Sequence, residues 1–485
     1  MATPAFLSAT ALARRIRAGR VSASEALEAV LERQRRFHGA LNAVVVTDAA
    51  SARKAARAVD TARKRGASLP PLAGVPITVK ESFDVAGLPT TWGLEKHRAN
   101  IPSATAIAVQ RLMDAGAIVW GKTNVPVLLA DWQTHNPVYG TTCNPWDPAR
   151  TPGGSSGGAA AALAAGLTSL DYGSDIGGSI RGPAHYCGVY GHKSTYGIVP
   201  TLGHALPETW HPTDMSVVGP LARSAADLEI ALKLTAGPHG AEAGAYRFQL
   251  PRPPFDDFRG LRVAVVTSDA VAPVSIAVSD AIETLARFLS KRRARVTLAP
   301  RLPYDAREHD RLYVLLRRAA TSMRAHDDAA FARLVRSLDA LDPNDSSYRA
   351  EQARGNTLYH RDWLRLSNER HRLRVRWQRF FDDYDVLLCP AAATTAFPRN
   401  ATGERWERAI DVDGTPQPDT TQIYWMGPAS VSFLPATVAP IAIAADGLPV
   451  GVQIVGPQFG DLKTIRFASL LERHYHAFQP PPGYD

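Results

Sequence analysis

Two serines in glycine-rich turns, Ser155 and Ser179, are the residues of this chain best suited to chemistry. Both lie in the stretch 151–181, which reads TPGGSSGGAAAALAAGLTSLDYGSDIGGSIR. Glycine beside a lone hydroxyl lets the backbone approach a ligand closely and adopt positive φ, which suits a nucleophile and its oxyanion donors. Gly/Ser-rich segments are often flexible linkers, but the apolar run 159–167 between the turns is core-forming sequence. The turn pattern alone leaves a catalytic site and a structural pair of turns open.

A serine needs a base to take its proton, and two kinds of base are available here. The chain has 14 histidines, so a Ser-His-Asp triad is not excluded by composition. However, Ser179 stands in G-G-S-I-R rather than in the G-x-S-x-G nucleophile elbow. The other base is Lys80, at the end of a β-branched run, where burial would disfavour the charged ammonium. Because a lysine at a strand end is more often a solvated surface charge, the residues alone do not decide the base.

The composition indicates a large globular enzyme. The chain has 485 residues, of which 45% are hydrophobic and 21% charged, enough to bury a sizeable core. Its three cysteines, Cys143, Cys187 and Cys389, are widely spaced and include no C-x-x-C pair. Neither a disulfide framework nor a zinc knuckle is indicated, and a reducing compartment is favoured, so we expect a cytoplasmic location.

The net charge of +9 is spread over several arginine-rich helical stretches, and no nucleic-acid-binding signature accompanies it. We therefore expect no nucleic-acid partner. No run of about 18 apolar residues occurs, so we expect no membrane span. The first twenty residues contain four arginines and no acid, as transit peptides do. Their apolar residues nevertheless recur at helical spacing, which favours an amphipathic helix pair.

The alternation of short apolar runs with amphipathic segments predicts βαβ units around a mixed or parallel sheet. We interpret the whole as one compact catalytic domain with five consecutive parts. They are N-terminal helices packed on the core (1–68), a core with the catalytic motifs (69–240), a continuation of the core (241–300), a helical excursion (301–381) and the C-terminal part of the core (382–485).

Seven motifs along most of the chain resemble those of the amidase signature hydrolases. Each is weak alone, but their order and spacing together are highly specific. They are GVPITVKESFD (74–84), GKTN (121–124), NPWD (144–147), the serine block (151–181), CGVYGHKSTYG (187–197), GPLARS (219–224) and GLPVGVQIVGP (447–457). The resemblance implies an α/β fold, a large mixed twisted β-sheet covered by helices on both faces in an α/β/α sandwich.

The resemblance also implies a Ser–Ser–Lys triad that needs neither metal nor cofactor. Ser179 would be the nucleophile, Ser155 a bridging serine on a non-proline cis peptide, and Lys80 the base, neutral in the resting enzyme. The implied oxyanion donors are the amides of Ile176, Gly177, Gly178 and Ser179. We interpret three further residues as supporting the site, namely Ser156, Asp175 and Arg181, the last two as an ion pair that orders the loops.

The sequence departs from the family pattern at 192–195, which reads HKST, and at Gly182. The segment 203–212 combines aromatics, histidines and prolines, and is open to two interpretations, a loop over the substrate or an ordinary surface loop. Aromatic residues, Trp92 and Trp425 among them, motivate an apolar pocket. We expect hydrolysis of an apolar or aryl amide, with esters as side substrates and carbamates (urethanes) as a further class. The predicted pocket residues are Trp132, Gln133, His204, Trp210 and Tyr424.

Two other functions fit the same motifs. A glutamine-hydrolysing amidotransferase subunit would act in a multi-chain complex, but the segment 130–135 lacks the run typical of the tRNA-dependent subunit. A non-catalytic binding protein on the same fold would be expected to have lost one of the three triad residues. We therefore favour an enzyme that acts on a small molecule as a monomer or homodimer.

Overall fold

Strands and helices alternate along most of the chain in a computed structural model, which describes residues 4–325, 327–400 and 402–484. The strands are β1 (Val44–Thr47), β2 (Pro76–Lys80), β3 (Ile118–Thr123), β4 (His135–Asn136), β5 (Gly140–Thr141), β6 (Leu170–Asp175), β7 (Tyr190–Lys193), β8 (Val217–Ala222), β9 (Arg262–Val265), β10 (Arg295–Leu298), β11 (Val386–Pro390), β12 (Ala409–Val412), β13 (Thr415–Pro418), β14 (Ala436–Ile443) and β15 (Pro449–Val455).

The helices begin with an amphipathic pair, the second of which starts at a capping box between Ser22 and Glu25. They are α1 (Ala9–Arg17), α2 (Ala23–Leu41), α3 (Ala49–Lys64), α4 (Ile107–Asp114), α5 (Gly157–Ala164), α6 (Arg181–Cys187), α7 (Ala225–Thr235), α8 (Glu242–Ala245), α9 (Ile276–Lys291), α10 (Ala306–Ala325), α11 (Asp328–Ser337), α12 (Tyr348–Asn356), α13 (His360–Asp383), α14 (Gly427–Val431) and α15 (Asp461–His474). Within the described ranges, no helix is both long and apolar enough to cross a membrane.

The core is one mixed sheet. Among the described residues eleven strands form it, in the order β1-β3-β2-β6-β8-β7-β14-β15-β11-β9-β10. Strand β2 runs parallel to β3 and β6, whereas β8, β7, β14 and β15 pair antiparallel with one another in turn. The strands of the C-terminal part lie between those of the two preceding core parts. Strands from before and after the segment 301–381 therefore share one sheet.

Helices cover both faces of this sheet, as β14 shows at two consecutive residues. The Thr437 hydroxyl donates to Thr464 on α15, while Val438 packs in a cluster with Ile180 and with Ala184 of α6. Successive side chains of a strand point to opposite faces, so α15 and α6 lie on opposite sides. The predicted α/β architecture is confirmed.

Two parts of the chain position the site differently from what the sequence suggested. The N-terminal part is not purely helical, because the short β-branched run of β1 pairs antiparallel with β3 at the sheet edge. The segment predicted as a helical excursion, 301–381, contains α10 to α12 and most of α13. These helices also contact the site. Helix α10 packs against α14, and side chains of α10 reach the serine turns.

Candidate active site

Lys80 is the last residue of β2 and is completely buried. Its Nζ is hydrogen-bonded to Ser155 Oγ at 2.6 Å and to Ser174 Oγ at 3.0 Å. Because β2 lies between β3 and β6, the strand end carries the lysine into the sheet interior rather than into solvent. The alternative interpretation of Lys80, a solvated charge on the protein surface, is therefore wrong.

Ser155 follows Gly154 across a cis peptide bond, as the resemblance implied. The turn is tightly packed, because a Cβ on Gly154 would lie 2.2 Å from the carbonyl oxygen of Asp131. Only glycine fits at that position. Helix α5 begins two residues later and is buried on every side, which fixes the turn to the core.

Ser179 lies in the turn between β6 and α6, with 6% of its surface exposed. Its carbonyl accepts a hydrogen bond of 3.1 Å from the Ser156 amide, so the two serine turns are tied together. Ser155, Ser174 and Ser179 all line one cavity of about 80 Å³. The structure thus brings the lysine, the bridging serine and the predicted nucleophile to one place.

Asp175 and Arg181 bracket Ser179 as a buried ion pair with an N–O distance of 2.8 Å. The carboxylate also accepts from the amides of Gly178 and Ile180 at 2.9 and 3.0 Å. Burial by itself raises the pKa of Asp175, but the Arg181 guanidinium outweighs it and lowers the pKa to about 2. Asp175 is therefore ionised at neutral pH and holds the turn that contains Ser179 by charge-assisted hydrogen bonds.

The peptide groups just before Ser179 are held from outside the turn. The Ile176 carbonyl accepts from the Tyr313 hydroxyl at 2.8 Å, and the Gly177 carbonyl accepts from Trp132 Nε1 at 2.8 Å. In a trans peptide the N–H points opposite to the C=O, so these contacts orient the amides of Gly177 and Gly178. The Gly178 amide is already engaged by Asp175, which distinguishes it from the other three predicted oxyanion donors.

Ser156 is tied to the second serine turn by its backbone rather than by its hydroxyl. Among the described residues, its Oγ is buried and has no hydrogen-bond partner. Its amide makes the link to the Ser179 carbonyl. The sequence suggested hydrogen-bonding support but could not say which atom provides it.

The predicted pocket residues are scattered. His204 lines the serine cavity and also a neighbouring cavity of about 610 Å³ that contains Trp210, Phe248 and Phe459. Trp132 contacts the Ser179 turn at the Gly177 carbonyl.

The two remaining pocket residues lie elsewhere. Gln133 is hydrogen-bonded to the backbone of Asn400. Tyr424 lines a different cavity, and its hydroxyl donates to Asp269 at 2.8 Å. Residues 203–205 and 209–212 line the larger cavity, where Trp210 is 82% exposed.

Several lining residues escaped sequence analysis. Ser174, one residue before Asp175 in the quoted serine block, was detectable there. Leu128 and Leu129 adopt positive φ of 54° and 58°, a strained conformation that commonly marks functional sites. The remaining residues of the serine cavity that were not predicted as lining residues are Ala130, Ser216, Arg317, Arg318 and Thr321.

Known proteins resemble this chain over most of its length. The model of the Amidase family matches residues 25–465. The chain belongs to the amidase signature family. This amidase is 33% identical over 471 residues to indoleacetamide hydrolase of Bradyrhizobium diazoefficiens, covering 96% of the chain and 86% of that protein. It is also 33% identical over 486 residues to a glutamyl-tRNA(Gln) amidotransferase subunit of Anaeromyxobacter sp. (strain K), covering 95% of each.

Solved structures agree with this assignment. A chain of a vestigial protein complex, described as revealing the evolutionary origins of an s-triazine catabolic enzyme, superimposes on the amidase with a TM-score of 0.80 at 30% identity, covering 98% of this chain and all of that one. A crystal structure of an amidase gives a TM-score of 0.78 at 30% identity, covering 97% of this chain and all of that one. The amidase is therefore a hydrolase of this family.

Proposed function

We propose that the protein hydrolyses the C–N acyl bond of a small amide through an acyl-enzyme on Ser179. The observation that carries the proposal is the 2.6 Å contact between Lys80 Nζ and Ser155 Oγ, in a cavity that Ser155 shares with Ser179. A completely buried amine favours its neutral form, which can accept a proton. This is the activation that a serine nucleophile requires.

The proposed reaction begins with two proton transfers. Lys80 takes the proton of the Ser155 hydroxyl while Ser155 takes that of Ser179, whose Oγ attacks the carbonyl carbon. The C–N bond breaks as the relay returns a proton to the amine. Water, activated by the same relay, then attacks the ester carbonyl, releases the acid and restores Ser179.

The oxyanion of the tetrahedral intermediate would be held by backbone amides of the nucleophile turn. We propose Ile176, Gly177 and Ser179 as the principal donors, because the Gly178 amide already donates to Asp175 at 2.9 Å. The contacts of Tyr313 and Trp132 with the adjoining carbonyls preorganise this turn. Preorganised donors need no rearrangement as charge develops.

The proposed substrate class is an apolar or aryl amide, with esters and carbamates as further substrates. The larger cavity supports it, because aromatic side chains such as Trp210, Phe248 and Phe459 line it and His204 joins it to the serine cavity. The similarity to an indoleacetamide hydrolase also favours an aryl amide.

A second candidate function, that of one component in a glutamine-hydrolysing amidotransferase, is favoured by the 33% identity to a component of a glutamyl-tRNA(Gln) amidotransferase. A chain of this kind would need partner chains for activity. We propose instead a free cytoplasmic enzyme, monomeric or homodimeric. Turnover by the purified chain at a defined size in gel filtration would support it, whereas activity only with added partner chains would favour the alternative.

Single-turnover mass spectrometry tests the chemistry. The purified chain is mixed with aryl amides, a carbamate and glutamine, quenched and digested. We expect an acyl adduct on the peptide containing Ser179, and its loss in Ser179→Ala. Ser156→Ala serves as the matched control, since its hydroxyl has no partner among the described residues, and should keep the adduct. Turnover that survives Ser179→Ala would refute the mechanism.

A further inference from the structure

Two arginines of α10 face the serines. Arg317 and Arg318 line the same cavity as Ser155 and Ser179. Arg317 is only 8% exposed, and its Nη1 lies 3.6 Å from the position that a Cβ on Gly177 would occupy. Gly177 is two residues from Ser179. The guanidinium therefore lies beside the atoms that the proposed reaction uses.

Among the described residues, no ion pair joins either of these arginines to an acid. The other largely buried arginines are satisfied differently. Arg181, Arg370, Arg405 and Arg408 each pair with an aspartate, and Arg223 donates to four backbone carbonyls. Burying a charge without an opposite charge is costly. The α10 pair is therefore short of negative charge.

The phenol of Tyr348 is what the pair contacts instead. Arg317 Nη2 donates to its hydroxyl at 2.6 Å, and Arg318 Nη2 donates to the same oxygen. Both Nε atoms are buried without a partner among the described residues. The Asp310 carboxyl also faces Arg317. Burial raises the pKa of this carboxyl to about 6, although the positive charge of Arg317 acts in the opposite direction. One phenol cannot satisfy two guanidinium groups, which present five N–H donors each.

We propose that the natural amide carries a carboxylate in its acyl part and that Arg317 and Arg318 bind it. This inference rests on the proposed function and narrows its substrate class to aryl amides whose acyl part carries a carboxylate. The acyl group is the part that stays on Ser179 after the amine leaves, and the cavity of about 80 Å³ is the one that contacts both Ser179 and Arg317. A planar carboxylate fits that space and the forked geometry of arginine. The amine part then occupies the larger aromatic cavity.

A matched pair of substrates tests this assignment. The 4-nitroanilides of succinic acid and of 4-methylpentanoic acid differ only in that an isopropyl group replaces the carboxylate. We expect the wild-type chain to prefer the succinyl anilide in kcat/KM. Arg317→Met should raise KM for the succinyl anilide about 10- to 100-fold, as expected for loss of a hydrogen-bonded charge, and leave the neutral anilide within about twofold.

The controls separate binding from folding. Arg307→Met removes the same charge from an exposed position of α10 and should change neither substrate's KM. Arg317→Lys keeps the charge without the fork and should give an intermediate KM. Calorimetric binding of both anilides to Ser179→Ala protein gives the preference independently of turnover, because that variant cannot form the acyl-enzyme.

Three outcomes would overturn the inference while leaving the proposed function intact. The first is an equal rise in KM for both anilides in Arg317→Met, and the second is no wild-type preference for the succinyl anilide. The third concerns an additional substrate, an acetanilide with the carboxylate on its ring, and is a wild-type preference for that substrate alone. Anilide hydrolysis that persists in Ser179→Ala would instead overturn the proposed function.

Discussion

The serine turns and helix α10 meet at one cavity, yet they satisfy their charges in opposite ways. In the turns, Arg181 is completely buried, and its guanidinium pairs with Asp175 and also contacts Gln453 and Ser430. On α10, Arg317 is nearly as buried and contacts the phenol of Tyr348 in place of a carboxylate. Complete pairing rigidifies a site, whereas unpaired charge is available to a ligand.

This contrast assigns different tasks to the two regions. The turns contain the two serines of the proposed reaction and are closed around them by hydrogen bonds. Helix α10 supplies two positive charges and the Tyr313 hydroxyl from outside these turns. Chemistry and substrate choice would then be separable by mutation, and substitutions in each region test whether they are.

The largest effect is expected at the bridging serine. Ser155→Ala removes the group that Lys80 contacts at 2.6 Å and should lower kcat at least about 10³-fold on charged and neutral anilides alike. Ser156→Ala, one residue away, should stay within about threefold because its hydroxyl is unpartnered among the described residues. Initial rates on the two 4-nitroanilides measure both.

The proposed proton relay also predicts how substitutions of Lys80 and Ser155 combine. Lys80→Met should cost about as much as Ser155→Ala, and the double variant no more than either, since residues that act as a unit are not additive. Additive losses would show that Lys80 and Ser155 act independently.

The next largest effect is expected on stability. Asp175→Asn leaves Arg181 buried without its counter-charge and should lower the free energy of unfolding by about 3–5 kcal/mol. Asp256→Asn breaks an ion pair whose carboxylate is 96% exposed and should cost at most about 1 kcal/mol. Urea denaturation followed by circular dichroism measures both changes.

The stabilisation of the fold by Asp175 depends on pH in a defined direction. The folded pKa of Asp175, about 2, lies below the ordinary value of 3.8, so its stabilisation is present above pH 3.8 and is lost as the pH falls through 2. The difference between the wild type and Asp175→Asn should therefore be constant from pH 5 to 7. A difference that vanished at pH 5 would contradict the ion pair.

The sequence predicted the turns far better than it predicted the cavity. Ser155 and Ser179 stand in dense local motifs, where glycine spacing reflects backbone constraints that a reader can recognise. Arg317 has no such signal, because it is one of many arginines on a charged helix. Its location depends on how α10 packs against a chain segment more than a hundred residues away.

Aromatic composition was a similarly weak guide. Tyr424 and Trp210 are both large and apolar, but one lines a separate cavity and the other is largely exposed. Which side of the backbone a ring occupies follows from tertiary packing and not from its type. Strand β1 was missed for a related reason, since four β-branched residues carry little periodic signal.

A smaller effect is expected at Tyr313, the positioning residue of α10. Tyr313→Phe removes the 2.8 Å hydrogen bond to the Ile176 carbonyl and loosens the adjoining oxyanion amides. We expect kcat to fall about tenfold with KM unchanged, equally for both anilides, which is less than the loss of a direct donor. Tyr424→Phe, which removes a tyrosine hydroxyl in another cavity, should leave kcat unchanged. A rise in KM confined to the succinyl anilide would instead make Tyr313 a substrate contact.

The smallest effect is expected from the titration of Tyr348. Burial by itself raises the pKa of this phenol, but Arg317, Arg318 and Arg405 outweigh it and lower the pKa to about 7. Below pH 7 the phenol is neutral and the α10 pair is free to bind a carboxylate. Above pH 7 the phenolate competes for the same guanidinium groups, so KM for the succinyl anilide should rise a few-fold between pH 6 and 8.

The neutral anilide and Tyr348→Phe supply the two comparisons that make this test decisive. KM for the neutral anilide should stay flat over that pH range, and Tyr348→Phe should remove the rise for the succinyl anilide. The same depressed pKa means that Tyr348 stabilises the fold increasingly as pH rises above 7 and loses this contribution as pH falls through 7. If the rise in KM persisted in Tyr348→Phe, a group other than this phenol would be competing with the substrate for the α10 arginines.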